Sequence, residues 1–271
     1  MAGETADSKP ELYCKEIGQG NTGETLLLIH GAFSSHQGWD LVEPRLSKTY
    51  HLLLPDLPEH GKSSDILPFS KELSARLLAS LIRSRASSGK AHIVGFSLGA
   101  HVAIELASKH PDVVNTVFVS GYEVYSNSPQ TFAYGLWMDN HIGSAMPRPL
   151  TRWLMDGTDL PPTPNGACTL TLCRSIAQTM CIKDDQWPTS WPARTLIVAA
   201  GKSDILPTAD HPHDATRLRD IALQIQPTGQ TKAYTHKQMR HPWDRQAPGL
   251  FAETVRMWID EAKVPEGFEE L

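Results

Sequence analysis

The sequence lacks both a long hydrophobic run and a concentration of basic residues. Its 271 residues include 25 lysines and arginines against 30 aspartates and glutamates, which gives a formal net charge of -5 at pH 7. No apolar segment approaches the roughly 20 residues that span a bilayer. No cluster of lysines and arginines has the density typical of a surface that binds nucleic acid or lipid. We therefore expect no nucleic-acid partner and no membrane partner, and a small molecule is the expected partner.

Cysteine is also scarce, with four residues, and none of them forms a C-x-x-C unit: Cys14, Cys168, Cys173 and Cys181. Structural zinc sites usually contain closely paired cysteines, so a zinc site is not expected, and reduced thiols are typical of intracellular proteins. The first seven residues, MAGETAD, lack the basic start and apolar stretch of a secretory signal. These observations predict a cytoplasmic protein.

What the sequence does contain is an alternation of apolar strand-like blocks and helical patterns. The blocks are residues 25–29, 50–56, 91–95, 113–121 and 193–200, and helical spacing recurs over 72–86, 100–110, 214–223 and 251–262. Strands that alternate with helices are typical of a mostly parallel sheet covered by helices on both faces. We therefore predict an α/β fold of this kind.

Residues 122–192 interrupt the alternation with four tryptophans, scattered prolines and helical fragments. We interpret this region as an inserted helical cap, with residues 1–121 and 193–271 forming the core domain. Large aromatic side chains mostly pack in the interior, but beside a pocket a few also contact the ligand. Tyr122, Trp137 and Trp153 are the candidate substrate contacts. The first dozen residues and those after Val264 are expected to be frayed tails.

The segment IVGFSLGA, residues 93–100, places Ser97 between two glycines after a β-branched pair and before a helical pattern. A nucleophile that projects from the end of a parallel strand needs a sharp turn with no side chain two residues before or after it, and Gly95 and Gly99 meet that need. The helix that follows aims unpaired N–H groups at the site where an oxyanion would form. The G-x-S-x-G pattern is weak alone, but its strand and helix context makes Ser97 a candidate nucleophile.

Five segments resemble, in order, the landmarks of the α/β-hydrolase fold family. They are LLLIHGAFSSHQGWD, LLLPDLPEHGKSS, VGFSLGAHVAIELASKHP, LIVAAGKSDILP and HPWDRQAPGLFAETVRMWI. The resemblance covers nearly the whole chain except the cap. One departure is Glu59, which stands where the family usually has glycine after Asp-x-Pro, so the local turn is expected to differ.

The family's order of nucleophile, acid and histidine implies the triad Ser97, Asp204 and His241. Asp204 follows the strand-like block at 193–200 after a short Gly-Lys-Ser turn, where its carboxylate can reach the pocket. His241 lies just before the closing helix, which is the family's position for the general base; His236 is the nearest competitor.

Other carboxylates remain alternatives for the acid. Glu123 follows the preceding strand, which ends near Gly121, and is the rival by the same geometric argument. Asp210 and Asp214 are weaker candidates because they lie further along, toward the next helix.

The resemblance also implies an oxyanion hole formed by the backbone N–H groups of Leu98, directly after the nucleophile, and Ala32, directly after His30-Gly31. Phe33 is a candidate substrate contact at the pocket mouth, and packing beneath the cap is the alternative.

We expect acyl transfer to water through an acyl-enzyme on Ser97, without a metal or organic cofactor. The apolar cap favours an ester or thioester of a medium-sized hydrophobic acyl group, free or carrier-bound, as in specialised metabolism. Family members that open epoxides or remove halides carry a carboxylate where this chain has Ser97.

Two other functions stay open at this point. The same triad supports cofactor-free carbon–carbon bond cleavage, condensation or cyclisation, and nothing in the sequence excludes it. A hydrolase-fold receptor that binds a small molecule under its cap is the third reading, since a fold does not determine a function. The intact triad argues against the receptor.

Overall fold

The computed structural model describes residues 10–21, 23–164, 166–204, 208–227 and 229–271, which form an eight-stranded sheet. The strand order is β1-β3-β2-β4-β5-β6-β7-β8. The six inner strands are parallel, and the edge strands β1 and β8 are antiparallel to their neighbours. The strands are β1 Cys14–Ile17, β2 Thr25–Ile29, β3 His51–Pro55, β4 Ala91–Phe96, β5 Val114–Ser120, β6 Arg194–Ala200, β7 Lys232–His236 and β8 Glu269–Glu270.

The α-helices are α1 Glu43–Leu46, α2 Lys71–Arg85, α3 Leu98–Lys109, α4 Pro129–Ala145, α5 Arg148–Leu154, α6 Leu170–Met180, α7 Pro212–Ala222, α8 Trp243–Gln246 and α9 Pro248–Ile259. The helical spacing over 72–86, 100–110, 214–223 and 251–262 corresponds to four of the helices, α2, α3, α7 and α9. Short 3₁₀ helices cover His36–Trp39, Gly61–Ser63, Pro111–Val113 and Asp184–Gln186. In the part of the chain that the structure describes, no helix is both long enough and apolar enough to cross a bilayer.

Local sequence explains where the main helices begin and end. The side chain of Ser70 accepts the N–H of Leu73 at 3.1 Å and so caps the N-terminus of α2. Helix α3 ends two residues before Pro111, whose ring cannot continue a helix. The predicted helix over 72–86 is thereby confirmed as α2, and the helix after Ser97 as α3.

The sheet is covered on both faces, as predicted. Successive side chains of a strand point to opposite sides of the sheet, so each face has its own set of buried side chains. On one face, Leu27 and Ile29 of β2 belong to a buried cluster with α2, α3 and α7. On the other face, Leu26 and Leu28 pack with Phe251 of α9. Two-sided burial explains why these strands read as continuous apolar runs rather than as alternating ones.

The inserted helical cap is confirmed: α4, α5 and α6 lie between β5 and β6. Helix α6 contacts both α4 and α3, and its buried face places Leu172, Cys173 and Ile176 in the same hydrophobic cluster as α3. The cap is therefore anchored to the core through α6. The division of the chain at residues 122 and 192 stays a prediction.

The expectation of a frayed tail after Val264 is wrong in its last part. Glu269 pairs with Thr235 of β7, and the N–H of Leu271 donates to the carbonyl of Ala233 at 2.9 Å. An added edge strand gives these backbone groups partners that a tail would leave to water. At the other end, residues 1–9 of the predicted tail lie outside the described residues.

Candidate active site

Ser97 stands at the turn between β4 and α3 with φ 55° and ψ -120°, a conformation that L residues rarely adopt. Its N–H donates to the carbonyl of Ser120 on β5 at 2.8 Å, which ties the turn to the sheet. A Cβ atom at Gly95 would lie 2.5 Å from the carbonyl oxygen of Gly99, and one at Gly99 would overlap the carbonyl oxygen of Ile29. Both glycines of the motif are therefore sterically required.

The turn at residues 30–33 lies directly against the Ser97 side chain, since a Cβ at Gly31 would be 3.2 Å from that of Ser97. His30 supports this turn: its Nδ1 bonds the carbonyl of Gly31 at 2.8 Å, and its Nε2 bonds the N–H of Leu57 at 3.1 Å. These partners assign the proton to Nδ1. Burial lowers the pKa of His30 to about 3, so the ring is a neutral structural support.

The two predicted oxyanion-hole residues flank Ser97 from different elements. Leu98 begins α3, so its N–H has no acceptor within the helix. Ala32 lines the cavity beside Ser97, next to the Gly31 turn. Phe33 has φ 58° and also lines this cavity, although it is 9% exposed. Phe33 also belongs to the buried hydrophobic cluster of the core, so its role as a substrate contact stays a prediction.

His241 is bonded to the carboxylate of Asp210: its Nδ1 lies 2.5 Å from Oδ1. The other carboxylate oxygen of Asp210 accepts the N–H of Ala200 at 2.7 Å, and the N–H of Asp210 donates to the carbonyl of Ala200 at 2.7 Å. The backbone N–H of His241 donates to the carbonyl of Thr208 at 2.7 Å. Asp210 is thus fixed at the carboxyl end of β6, and the imidazole is held against it.

The structure differs here from the prediction that Asp204 orients His241. The carboxylate of Asp204 pairs with the guanidinium of Arg240, in part through an Nη1 to Oδ1 distance of 3.0 Å. The chain leaves β6 after Ala200 and comes back to the end of that strand at Asp210. Asp210, and not the earlier Asp204, is therefore the acid that contacts the imidazole. Asp214 lies elsewhere and accepts the N–H of Val124 at 2.9 Å.

Glu123, the rival acid, lies beside this pair. One atom each of Glu123, Asp210 and His241 lie within 4.8 Å of one another, and Glu123 is 7% exposed. The Tyr125 hydroxyl donates to its Oε2 at 2.7 Å. Burial raises the pKa of Glu123, and the nearby Asp210 acts in the same direction. The site therefore holds two adjacent carboxyl groups, of which Asp210 makes the hydrogen bond to Nδ1.

The charges around His241 favour its protonated form. Burial alone lowers the pKa of this imidazole, but the carboxylates of Asp210, Glu123 and Asp244 outweigh that effect and raise the pKa to about 9. Burial raises the pKa of the neighbouring Asp244 to about 6.

Among the described residues, one group has possible ligand atoms close enough together to hold a metal ion: Glu123, Asp210 and His241. The 2.5 Å between His241 Nδ1 and Asp210 Oδ1 is a direct hydrogen bond. A metal ion bonded to both atoms at about 2.0–2.2 Å would hold them ~3 Å apart. In the observed arrangement His241 and Asp210 are therefore a hydrogen-bonded pair, and Glu123 lies beside them.

Ser97 and His241 line one large cavity of about 1880 Å³ that reaches from the sheet to the cap. The cap contributes mainly apolar side chains to its wall, among them Phe132, Leu136, Met155, Leu160, Ile176 and Met180. The core contributes a more polar wall that includes Lys15, Glu43, Asp56 and Lys62. The arrangement suits a ligand whose apolar part enters beneath the cap.

Three of the four predicted substrate contacts do not line this cavity. Tyr122 is buried against His101, with ring centroids 4.0 Å apart. Trp137 packs against neighbouring aromatic rings of α4, and Trp153 is 76% exposed. Only Phe33 lines it, because the cap turns other side chains inward. Phe132 and Leu136 do line it. They are four residues apart on α4, so their helical spacing could have shown that they share one face of a cap helix.

Glu59, which stands where the family usually has glycine, adopts a backbone conformation that suits glycine. It has φ 60°, the left-handed conformation that glycine adopts most readily. Its Oε2 accepts the N–H of Phe69 at 2.6 Å, and its own N–H donates to the carbonyl of Ile66 at 3.0 Å. The side chain thus stabilises a turn whose backbone keeps the glycine-like shape.

The parallel sheet, the sharp turn at Ser97 and the histidine–aspartate pair define an α/β hydrolase. The model of the alpha/beta hydrolase family matches residues 26–265, and the chain belongs to this family. It is 37% identical over 254 residues to an AB hydrolase superfamily protein of Gibberella zeae, covering 91% of this chain and 84% of that protein.

Other relatives match less of the chain. A 2-hydroxy-6-oxononadienedioate/2-hydroxy-6-oxononatrienedioate hydrolase of Cupriavidus pinatubonensis is 30% identical over 121 residues, 42% of this chain and 41% of that protein. A pimeloyl-[acyl-carrier protein] methyl ester esterase of Neisseria meningitidis is 33% identical over 109 residues, 40% of this chain and 41% of that protein. The solved structure of MGS-M2, an α/β hydrolase from a deep-sea metagenome library, has a TM-score of 0.70 at 19% identity, covering 94% of this chain and 96% of that one.

Proposed function

We propose that this α/β hydrolase is a serine esterase or thioesterase that cleaves a medium-sized hydrophobic acyl group through an acyl-enzyme on Ser97. The observation that carries the proposal is the convergence of three elements at one cavity: Ser97 on its strained turn, His241 held from behind by Asp210, and the turn at residues 30–33. The cytoplasmic location stays a prediction.

In the first half-reaction, His241 Nε2 takes the proton of the Ser97 hydroxyl as its oxygen attacks the substrate carbonyl carbon. Asp210 keeps the other proton on Nδ1 and stabilises the imidazolium that forms. The N–H groups of Ala32 and Leu98 donate to the oxyanion, and each such donor contributes about 3 kcal/mol to the transition state. The imidazolium then protonates the leaving alcohol or thiol, and the acyl group stays on Ser97.

In the second half-reaction, His241 removes a proton from water as the water oxygen attacks the acyl-enzyme. The same N–H groups stabilise the second oxyanion, and the proton returns to Ser97 as the acid leaves. The chemistry requires only groups that the chain supplies.

The charges of the cavity favour an uncharged substrate over a dicarboxylate. The described part of the wall contains three lysine and arginine side chains, besides the imidazole of His241 at the reacting centre. Lys15 pairs with Glu43 at 2.7 Å, Arg245 pairs with Asp40 at 2.7 Å, and Lys62 stands over a tyrosine ring. Recognition of a dianion requires cationic partners, and two of these three side chains are already paired with carboxylates. The relative named as a dienedioate hydrolase keeps carbon–carbon cleavage as the second candidate, while the methyl ester esterase supports an ester, including a carrier-bound one.

Ser97 should react stoichiometrically with a fluorophosphonate probe, because an activated serine beside oxyanion donors attacks the phosphorus as it would a carbonyl carbon. Intact mass and peptide mapping of the labelled protein identify the residue. Ser97→Ala should abolish the adduct, and Ser64→Ala, an exposed serine on the cavity wall, should keep it. A folded protein that stays unlabelled overturns the acyl-enzyme proposal.

A substrate screen then separates the candidate functions. Uncharged p-nitrophenyl esters and acyl thioesters of two to twelve carbons, which we choose as roughly spanning the cavity, test the proposal. A vinylogous diketone with a carboxylate at each end tests carbon–carbon cleavage. Multiple turnovers of any of these contradict a receptor that only binds its ligand, whereas labelling without turnover would favour the receptor.

Gly121→Ala should lower kcat/KM for the preferred ester by about 100-fold, the size of effect expected from a 1 Å displacement of a catalytic group. Gly121 has φ 72°, and a Cβ atom there would lie 2.6 Å from Cε1 of His241. The new methyl group therefore displaces the imidazole from its present position. Gly135→Ala on α4, where nothing lies within 4 Å, is the matched control. Wild-type kcat/KM in the Gly121 variant would contradict the placement of His241.

A further inference from the structure

The residue that precedes His241 is a buried arginine with partners on two separate segments. The side chain of Arg240 is 3% exposed. Its Nε donates to Oδ2 of Asp156 at 2.6 Å, and its Nη1 donates to Asp204 at 3.0 Å and to the hydroxyl of Thr208 at 2.9 Å. Lys202 adds a second bond to Asp156 at 2.5 Å. Two cations and two carboxylates are thus gathered at one point.

These contacts join three parts of the molecule. Asp156 belongs to the cap and follows α5, Asp204 and Thr208 belong to the loop after β6, and Arg240 belongs to the loop after β7. Asp156 has φ 55°, and the N–H of the next residue, Gly157, bonds back to a carbonyl of α5 at 2.8 Å. The end of α5 is therefore shaped so that the Asp156 carboxylate meets the guanidinium.

The cluster touches the active site from both sides. Toward the core, the loop that carries Arg240 also carries His241, whose N–H is bonded to the carbonyl of Thr208 at 2.7 Å. Toward the cap, Met155 and Leu160 lie on either side of Asp156 in sequence, and both line the cavity. A displacement of Asp156 would move an apolar part of the cavity wall, while a displacement of Arg240 would also disturb the loop of His241.

We propose that Arg240 is a positioning residue whose ion pairs with Asp156 and Asp204 form a latch, which holds cap residues 155–160 over the acyl-binding part of the cavity and fixes the loop of His241. This inference rests on the proposed function for its kinetic consequences. The three residues Arg240, Asp156 and Asp204 are called the cap latch below.

Arg240 is buried, whereas the carboxylates of Asp156 and Asp204 are partly exposed, so the loss of one member of the cap latch does not have the same effect as the loss of another. Removal of one partner from a buried ion pair leaves an uncompensated charge, whereas an exposed pair contributes little. Asp156→Asn leaves Arg240 with Asp204, so only the bond to the cap weakens. Arg240→Gln removes the bonds to both segments. The first variant should therefore affect the cavity wall, and the second should also affect the histidine loop.

Asp156→Asn should raise KM for a p-nitrophenyl ester with a ten-carbon acyl chain by about tenfold, in line with loss of a partly buried charge pair, and change kcat/KM for the acetate ester by less than about twofold. Arg240→Gln should lower kcat for both esters. The matched control is Asp112→Asn, which removes an exposed pair with Arg83 at 2.7 Å on the core. If Asp156→Asn behaves as the control does with both esters, the cap latch is wrong.

Hydrogen exchange provides a readout that does not depend on catalysis. The amides of residues 155–160 should exchange faster in Asp156→Asn and Arg240→Gln than in the wild type, and at the wild-type rate in Asp112→Asn. If the fluorophosphonate probe failed to label Ser97 but residues 155–160 exchanged faster in the two latch variants, the proposed function would be wrong and the cap latch would stand. Labelled Ser97 with unchanged exchange in both latch variants would keep the function and overturn the latch.

Discussion

Asp210→Asn should lower kcat/KM by about four orders of magnitude, the loss expected when a catalytic histidine is held in the wrong tautomer. One oxygen of Asp210 accepts the N–H of Ala200 at 2.7 Å, and the other faces His241 Nδ1 at 2.5 Å. An asparagine keeps its carbonyl oxygen on Ala200 and therefore turns its NH₂ group toward Nδ1. The imidazole must then accept there and carry its proton on Nε2, where it cannot act as the base for Ser97. Steady-state kinetics on the preferred ester measure the loss.

Asp204→Asn is the matched comparison, because Asp204 bears the same carboxylate after the same strand but pairs with Arg240. It should lower kcat/KM by less than about tenfold, as expected for a group that acts only through positioning. If Asp210→Asn kept more than about a tenth of the activity, Glu123 would be serving as the acid. The double variant with Glu123→Gln would then lose the remainder.

The fold was predictable because most of the inner strands are buried on both faces. Strands β2 and β3 carry no exposed residue, so their apolar runs are unbroken in the sequence. The two edge strands and the inner strand β7 gave weaker signals. Strand β1 is half-buried along its whole length, β7 mixes buried and half-buried residues, and β8 is two exposed glutamates whose pairing depends on β7.

The position of Ser97 was predictable for a different reason. A turn with φ 55° between a strand and a helix demands glycines at fixed offsets, and that demand is visible locally as G-x-S-x-G. The partner of His241 has no such local signature. Two aspartates follow β6. Their roles depend on where the loop returns and on the buried Arg240, which lies in the loop after β7, 30 residues after Asp210.

The cap was predictable as an insertion but not in its detail. The sequence singled out its largest aromatic residues, yet Trp153 is 76% exposed and Trp137 faces other rings of α4. Which face of a cap helix turns toward a cavity depends on its packing partners. Here α6 anchors the cap, and it is the side of α4 carrying Phe132 and Leu136 that meets the cavity.

The pH dependence of kcat/KM should have an acidic limb well above pH 6.5, the ordinary pKa of an imidazole. His241 acts as a base only when neutral, and the surrounding carboxylates raise its pKa to about 9. Activity should therefore rise through the neutral range toward pH 9, since most molecules hold a protonated His241 at neutral pH. The profile is measured on an ester whose spontaneous hydrolysis is subtracted at each pH. A limb near 6.5 would contradict the electrostatic argument.

Glu123→Gln should move this limb to lower pH and raise kcat/KM at pH 7, the reverse of the loss usual for a substitution in an active site. The glutamine can still accept the Tyr125 hydroxyl, which now lies 2.7 Å from Oε2, but it removes one negative charge facing His241. Asp210 and Asp244 remain, so the limb should stay above that of a free imidazole. Glu253→Gln, on an exposed position of α9, should leave the profile unchanged. If the limb stays in place while kcat falls at every pH, Glu123 supports the fold of the site and does not act through the charge of His241.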